Sequence, residues 1–194
     1  MFHSVLGIRQ RVADAATRLE SMGHVVHVPD LYGGGKTFED YEAGAKYVAS
    51  FGGYPVLLQR TRSAVRSLPE RVVYAGLSNG DISAEYLAAT RPGALGALLF
   101  SAGVPLDVLA RVEGETIDTW PPGVPVQVHY TAADPFRDPV ESLQASVEAA
   151  PAPFTLHEYP GSGHLFTDHS MVHEYDETST ELLWQRVAGF LAGI

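Results

Sequence analysis

The sequence predicts an α/β protein in three layers, a mainly parallel sheet covered by helices on both faces, and three observations carry that expectation. Short apolar runs alternate with longer stretches of helical periodicity along the chain. The 194 residues suffice for one well-filled core and leave little room for a second. No internal repeat, low-complexity run or long linker divides them, so residues 1–194 read as a single domain.

Residues 9–22 place Val12, Ala15, Ala16 and Leu19 on one helical face, and Gly23 ends that helix as a C-terminal glycine does. His24 to Val28 reads as a short strand closed by Pro29-Asp30. Residues 33–37 (Gly-Gly-Gly-Lys-Thr) form a flexible loop, and 38–50 and 54–68 read as helices. Strands are then expected at 71–75, 95–100, 124–130 and 154–159, with helices at 80–90, 138–149 and 177–192.

Composition narrows the function. Hydrophobic residues make up 45% and charged residues 19%, the balance of an ordinary globular chain. No apolar run approaches the roughly 20 residues of a membrane helix. The start, Met1-Phe2-His3-Ser4, lacks the basic-then-apolar order of a secretory signal. A formal net charge of -10 argues against nucleic acid and anionic membranes as partners. The absence of cysteine excludes disulfides, a thiol nucleophile and cysteine-ligated metals, and fits a cytoplasmic address. A monomer or small homo-oligomer is expected.

Two glycine-rich segments invite chemistry. Gly35-Lys36-Thr37 resembles the end of a phosphate-binding loop, but Asp30 stands where that motif needs its first glycine. Gly76-Leu77-Ser78-Asn79-Gly80 is the informative one. It lies between an expected strand and an expected helix, the context a G-x-S-x-G elbow requires. Such a turn holds the serine hydroxyl out above the carboxyl ends of the strands. It also sets the Asn79 amide at a helix N-terminus, where it can serve as half of an oxyanion hole.

A serine hydroxyl needs a base, and the base needs orienting. At a nucleophile elbow the partners follow in the order Ser, Asp or Glu, His. Strand 124–130 runs into Asp134-Pro135, and strand 154–159 runs into Gly161-Ser162-Gly163-His164. One serine, one acid and one histidine thus fall at the ends of three strands in the required order. Asp134 could be a plain turn initiator and His164 a surface residue; their coincidence with the elbow favours a triad.

With these residues in place, the chain resembles the dienelactone hydrolase family of α/β-hydrolases over nearly its whole length. The resemblance rests on His3-Ser4-Val5-Leu6-Gly7, Val28-Pro29-Asp30-Leu31-Tyr32, the elbow 76–80, Ala133-Asp134-Pro135-Phe136 and Gly161-Ser162-Gly163-His164-Leu165-Phe166. It implies an α/β-hydrolase three-layer sandwich without a large cap domain, no metal and no organic cofactor. It also implies that the amide of Val5 completes the oxyanion hole. The chain departs from the name-giving enzyme in carrying Ser78 in place of a cysteine, and Ser4 where that enzyme has a glutamate. Family members usually carry several more residues before the His-Ser block. The expected N-terminal strand is therefore two or three residues long, with low stability as the consequence.

The expected activity is a two-step acyl transfer that cleaves an ester, lactone or thioester. His164 takes the Ser78 proton and Asp134 fixes the imidazole. Only neutral imidazole can accept that proton, so the rate is expected to rise with pH across the ordinary histidine range near 6–7. Arg9 and Arg137 could bind a substrate carboxylate. Asp81 reads as a solvated acid in a helix's first turn. The stretch 103–122 is expected to wall the pocket. Two rival readings are a metal site from His164, Asp168, His169 and His173, and a non-catalytic small-molecule-binding protein on the same fold.

Overall fold

The computed structural model describes residues 1–113, 117–137 and 140–194. In chain order its elements are α1 (Gln10–Ser21), α2 (Tyr41–Ser50), α3 (Gly53–Val65), β1 (Val73–Leu77), α4 (Asn79–Thr90), β2 (Gly96–Phe100), α5 (Leu106–Glu113), β3 (Val126–Thr131), α6 (Glu141–Ala149), β4 (Phe154–Tyr159) and α7 (Glu177–Ala192). The four strands form one parallel sheet in the order β1-β2-β3-β4. Each parallel step needs a crossover, and α4, α5 and α6 lie on those connections.

β2 and β3 are buried along their whole length; β2 is apolar throughout, and the polar side chains of β3 are hydrogen-bonded, His129 to Gln127 and Tyr159, and Thr131 to Gly163 O. On one face of the sheet, Val48, Leu57, Leu58, Leu87, Leu109 and Leu143 from α2 to α6 build the larger core. On the other, Val12, Ala15 and Leu19 of α1 meet Leu183, Trp184 and Val187 of α7. The three layers are those expected from the alternating pattern. Two helices start on aspartate caps: Asp40 accepts from the Ala43 amide at 2.7 Å, and Asp176 from that of Ser179 at 2.6 Å.

Two elements differ from expectation. Residues 24–28 belong to no strand, and Val25 is 86% exposed. Strand pairing needs a neighbouring backbone, and a cavity of about 360 Å³ lies between this segment and β1, lined by Val26, Pro29, Val72, Tyr74 and Leu98 among others. Only the first residues reach across. The terminal amine of Met1 donates to His27 O at 2.7 Å, and Phe2 forms one parallel bridge to β1 through Ala75 O and the Leu77 amide. The second difference is α5, eight residues that no strong cap announces, held by the burial of Leu106 and Leu109 and by an Asp107–Arg111 pair at 2.7 Å. Residues 138 and 139, which open the expected helix 138–149, lie outside the described residues.

Candidate active site

The elbow is built from close backbone approach. A Cβ on Gly76 would come within 2.3 Å of Gly80 backbone atoms, and one on Gly80 within 2.4 Å of Phe2 O. Only glycine fits at either position. Between them Ser78 adopts φ 55°, ψ -118°, a strained backbone that places its side chain at the mouth of α4. Its amide donates to Phe100 O at 2.8 Å and its carbonyl accepts from the Asp81 amide at 2.7 Å, so the strained turn is fixed on both sides.

β3 and β4 deliver the other two groups. Asp134 follows β3, where its Oδ1 accepts the Phe136 amide at 2.8 Å. His164 follows β4 on a loop tied to β3 by the Thr131 hydroxyl, which donates to Gly163 O at 3.0 Å. The structure brings all three side chains together. His164 Nε2 lies 2.7 Å from Ser78 Oγ, and His164 Nδ1 lies 2.8 Å and 3.0 Å from the Asp134 carboxylate oxygens. Each is buried. With Nδ1 protonated toward Asp134, Nε2 is left as the acceptor for the serine proton.

Val5 and Asn79, the two residues expected to supply oxyanion amides, border the same cavity as Ser78 and His164. The Val5 loop is anchored by Tyr32, whose hydroxyl donates to Val5 O at 2.9 Å. α2 crosses it so closely that a Cβ on Gly44 would meet Val5 O at 2.4 Å. The cavity holds about 580 Å³, enough for a small organic molecule. Part of the wall comes from Val104, Val108 and Leu109, within the stretch 103–122.

Arg9 and Arg137 are placed elsewhere. Arg9 donates to Phe38 O at 3.1 Å and to Ser170 Oγ at 2.7 Å, while Arg137 pairs with Glu158 at 2.6 Å and lies over the Tyr130 ring. Neither is among the residues lining the cavity. Among the described residues, no group of three or more His, Asp or Glu side chains is arranged to hold a metal ion. His169 instead faces Asp14 at 3.4 Å.

Asp81 requires a correction, because it is completely buried and not solvated. Its Oδ1 accepts the Phe100 amide at 2.8 Å, and one turn later the equally buried Glu85 accepts the Val104 amide at 3.0 Å. Two carboxyls on α4 thereby hold the chain that leaves β2 and walls the cavity. Burial raises the Asp81 carboxyl well above the ordinary aspartate range, against the pull of its amide bonds and of Arg11. Burial likewise lowers the Arg11 guanidinium to about 10, opposed by Asp168, Asp81, Tyr41 and Glu174.

Three further residues lie around His164, of which the sequence marks only Phe136, as part of the block around Asp134. The Ser101 hydroxyl donates to His164 O at 2.6 Å from a backbone at φ 86°. Tyr41 and Phe136 meet the imidazole edge-on, with ring centroids 5.7 and 5.1 Å away. Tyr41 in turn donates to Glu174, which also accepts the Leu165 amide at 2.6 Å.

This geometry has a counterpart in a known family: the dienelactone hydrolase family profile matches residues 1–194. The chain belongs to the dienelactone hydrolase family. Hydrolysis is the reaction class that membership carries. No curated protein matches this dienelactone hydrolase family member significantly in sequence. Solved structures share its α/β-hydrolase fold. A dienelactone hydrolase-like promiscuous phosphotriesterase from metagenomic libraries superposes with a TM-score of 0.76 at 18% identity, covering 99% of this chain and 84% of that one. A Klebsiella pneumoniae chain assigned to the dienelactone hydrolases gives 0.71 at 22% identity, covering 100% and 85%. The metagenome-derived lipolytic enzymes LipS and LipT are represented by a chain at 0.68 and 17% identity, covering 100% and 92%.

Proposed function

We propose that the protein is a serine hydrolase that cleaves a carboxylic ester, lactone or thioester through an acyl-enzyme. The observation that carries this reading is the continuous chain of short contacts from Ser78 Oγ through both nitrogens of His164 to Asp134. His164 Nε2 removes the hydroxyl proton as Ser78 Oγ attacks the substrate carbonyl carbon. The Val5 and Asn79 amides hold the resulting oxyanion, a role worth about 10²–10³ in rate per donor. Asp134 keeps Nδ1–H oriented and stabilises the imidazolium. That imidazolium then protonates the leaving oxygen or sulfur as the tetrahedral adduct collapses. A water deprotonated by the same Nε2 attacks the acyl-serine and releases the acid, restoring the hydroxyl.

The test compares hydrolysis of 4-nitrophenyl butyrate by wild type and Ser78→Ala, with a fluorophosphonate probe on both. Wild-type turnover and labelling, both abolished in the variant, are expected. Activity of Ser78→Ala equal to wild type would remove Ser78 as nucleophile. An intact fold without turnover or labelling in the wild type would favour a non-catalytic binding protein.

A further inference from the structure

The cavity beside Ser78 says what kind of ester fits. Its wall is apolar: Val48, Ile82, Val104, Val108, Leu109 and Phe136 face it from α2, α4, α5 and the loops that follow β2 and β3. No lysine, arginine, aspartate or glutamate lines it among the described residues. Residues 112–116 and 138–139, whose side chains are not described, include no cationic residue in the sequence either. The polar side chains that reach the cavity have partners. Tyr41 donates to Glu174 at 2.8 Å, and Tyr54 donates to Asn79 Oδ1 at 3.0 Å.

The ionisable side chains just behind the wall are mainly carboxyls. Glu85 holds the amide of Val104, Asp81 holds that of Phe100, and Glu174 stands behind Tyr41. Arg11, a buried cation, borders a separate small cavity with Leu77, Phe100 and Trp184, and it is faced by Asp168, Asp81 and Glu174. A carboxylate entering the Ser78 cavity would lose its hydration and find no cation to replace it. It would also approach a protein of net charge -10. An alkyl chain would lose only water that apolar surface releases readily. At the rim, Phe136 is 54% exposed yet packs against both Tyr41 and His164, offering an apolar edge to an incoming chain.

We propose that this site takes uncharged esters with an apolar acyl or alkyl chain and rejects substrates bearing a carboxylate. The inference rests on the serine-hydrolase reading above. The discrimination comes from the cavity wall: neither Arg9 nor Arg137 reaches it to neutralise an acid.

The test is a matched pair of substrates, 4-nitrophenyl hexanoate and mono-4-nitrophenyl adipate, which differ by a carboxylate in place of the terminal methyl. The hexanoate is expected to have a kcat/KM about 100-fold or more above the adipate. This preference should persist near 1 M NaCl, where the screening length is ~3 Å and long-range repulsion is suppressed. Ala45→Lys, on an exposed position of α2 that borders the cavity, is expected to raise the adipate-to-hexanoate ratio about 10-fold or more. Equal rates, a preference for adipate, or a preference lost in high salt would each overturn the proposal. So would an Ala45→Lys ratio equal to that of wild type. Ser78 labelling by a fluorophosphonate separates the two readings. A labelled enzyme that prefers adipate, or cleaves neither ester, loses the substrate class and keeps its nucleophile. An unlabelled protein inert to both esters loses the serine-hydrolase reading and this inference with it.

Discussion

Ser101 shows how a residue can matter to the site by positioning another. Its hydroxyl fixes the carbonyl of His164 at 2.6 Å, and its backbone sits at φ 86°, where side chains are disfavoured. The bond and the strain can be separated. Ser101→Ala removes the bond and keeps the strain; Ser101→Gly removes the bond and relieves the strain. Both variants are expected to lose up to about tenfold in kcat, the worth of one hydrogen bond of ~1 kcal/mol, with KM little changed. Ser101→Gly should also melt higher than Ser101→Ala. Equal kcat for wild type and both variants would show that the His164 loop holds itself. Ser78, Asp134 and His164 were legible before the structure because the elbow is a local motif and the other two are marked by strand ends. Ser101 and Asp81 were not, since their roles depend on which backbone groups the fold brings within 3 Å of an ordinary side chain. For Asp81 the local rule for a helix's first turn pointed to solvent, and the packing of α4 against β1 and β2 prevailed.

At the scale of elements, helical segments were read well wherever an apolar stripe marks them, as Val12, Ala15 and Leu19 mark α1. The segment 24–28 shows where that reading fails. His-Val-Val-His-Val has the composition of a strand, but composition supplies no partner, and a strand is defined by its ladder. The consequence is measurable by hydrogen exchange. Amides of residues 25–28 should exchange orders of magnitude faster than those of β2 and β3, which are hydrogen-bonded and buried on both faces. Val25→Lys should change stability by no more than about 0.5 kcal/mol, because the side chain is 86% exposed. Protection of residues 25–28 comparable to β3, or a Val25→Lys loss above ~1 kcal/mol, would mean that the segment pairs in solution. α5 is the converse case: eight residues too short to announce themselves, yet Val108 and Leu109 supply part of the cavity wall.

At the scale of the whole molecule, buried histidines set the response to acid. His3 accepts the Leu31 amide on Nε2 at 3.2 Å, with Nδ1 against Ser4 O at 2.8 Å. His129 sits between the Tyr159 hydroxyl at 2.7 Å and Gln127 Oε1 at 3.0 Å. Each neutral ring uses one nitrogen as an acceptor; protonation would break the His3 bond to the Leu31 amide and would force the Tyr159 hydroxyl to turn and accept from His129. Burial lowers both below the ordinary histidine value of 6.5, His129 far below, where the charges of His157 and Arg186 add to the effect. In the unfolded chain both titrate near 6.5, so below that pH the unfolded state binds more protons and stability falls. Asp81 acts in the opposite sense. Its raised value lets the folded state keep a proton that the unfolded chain releases, which offsets part of the histidine effect above about pH 4. Burial and Arg186 lower His157 as well, and burial takes the Met1 amine from 8.0 to about 5, so these groups together outweigh Asp81 and the net expectation is a loss of stability as pH falls from about 8. Thermal or urea unfolding between pH 8 and 5 measures it. Stability should decline as pH falls through this range, and more steeply below 6.5, where the histidines join the Met1 amine. Asp81→Asn, which cannot carry the compensating proton, should steepen that decline. A protein that becomes more stable as pH falls from 7 to 5 would show that the histidines are not held neutral in the folded state.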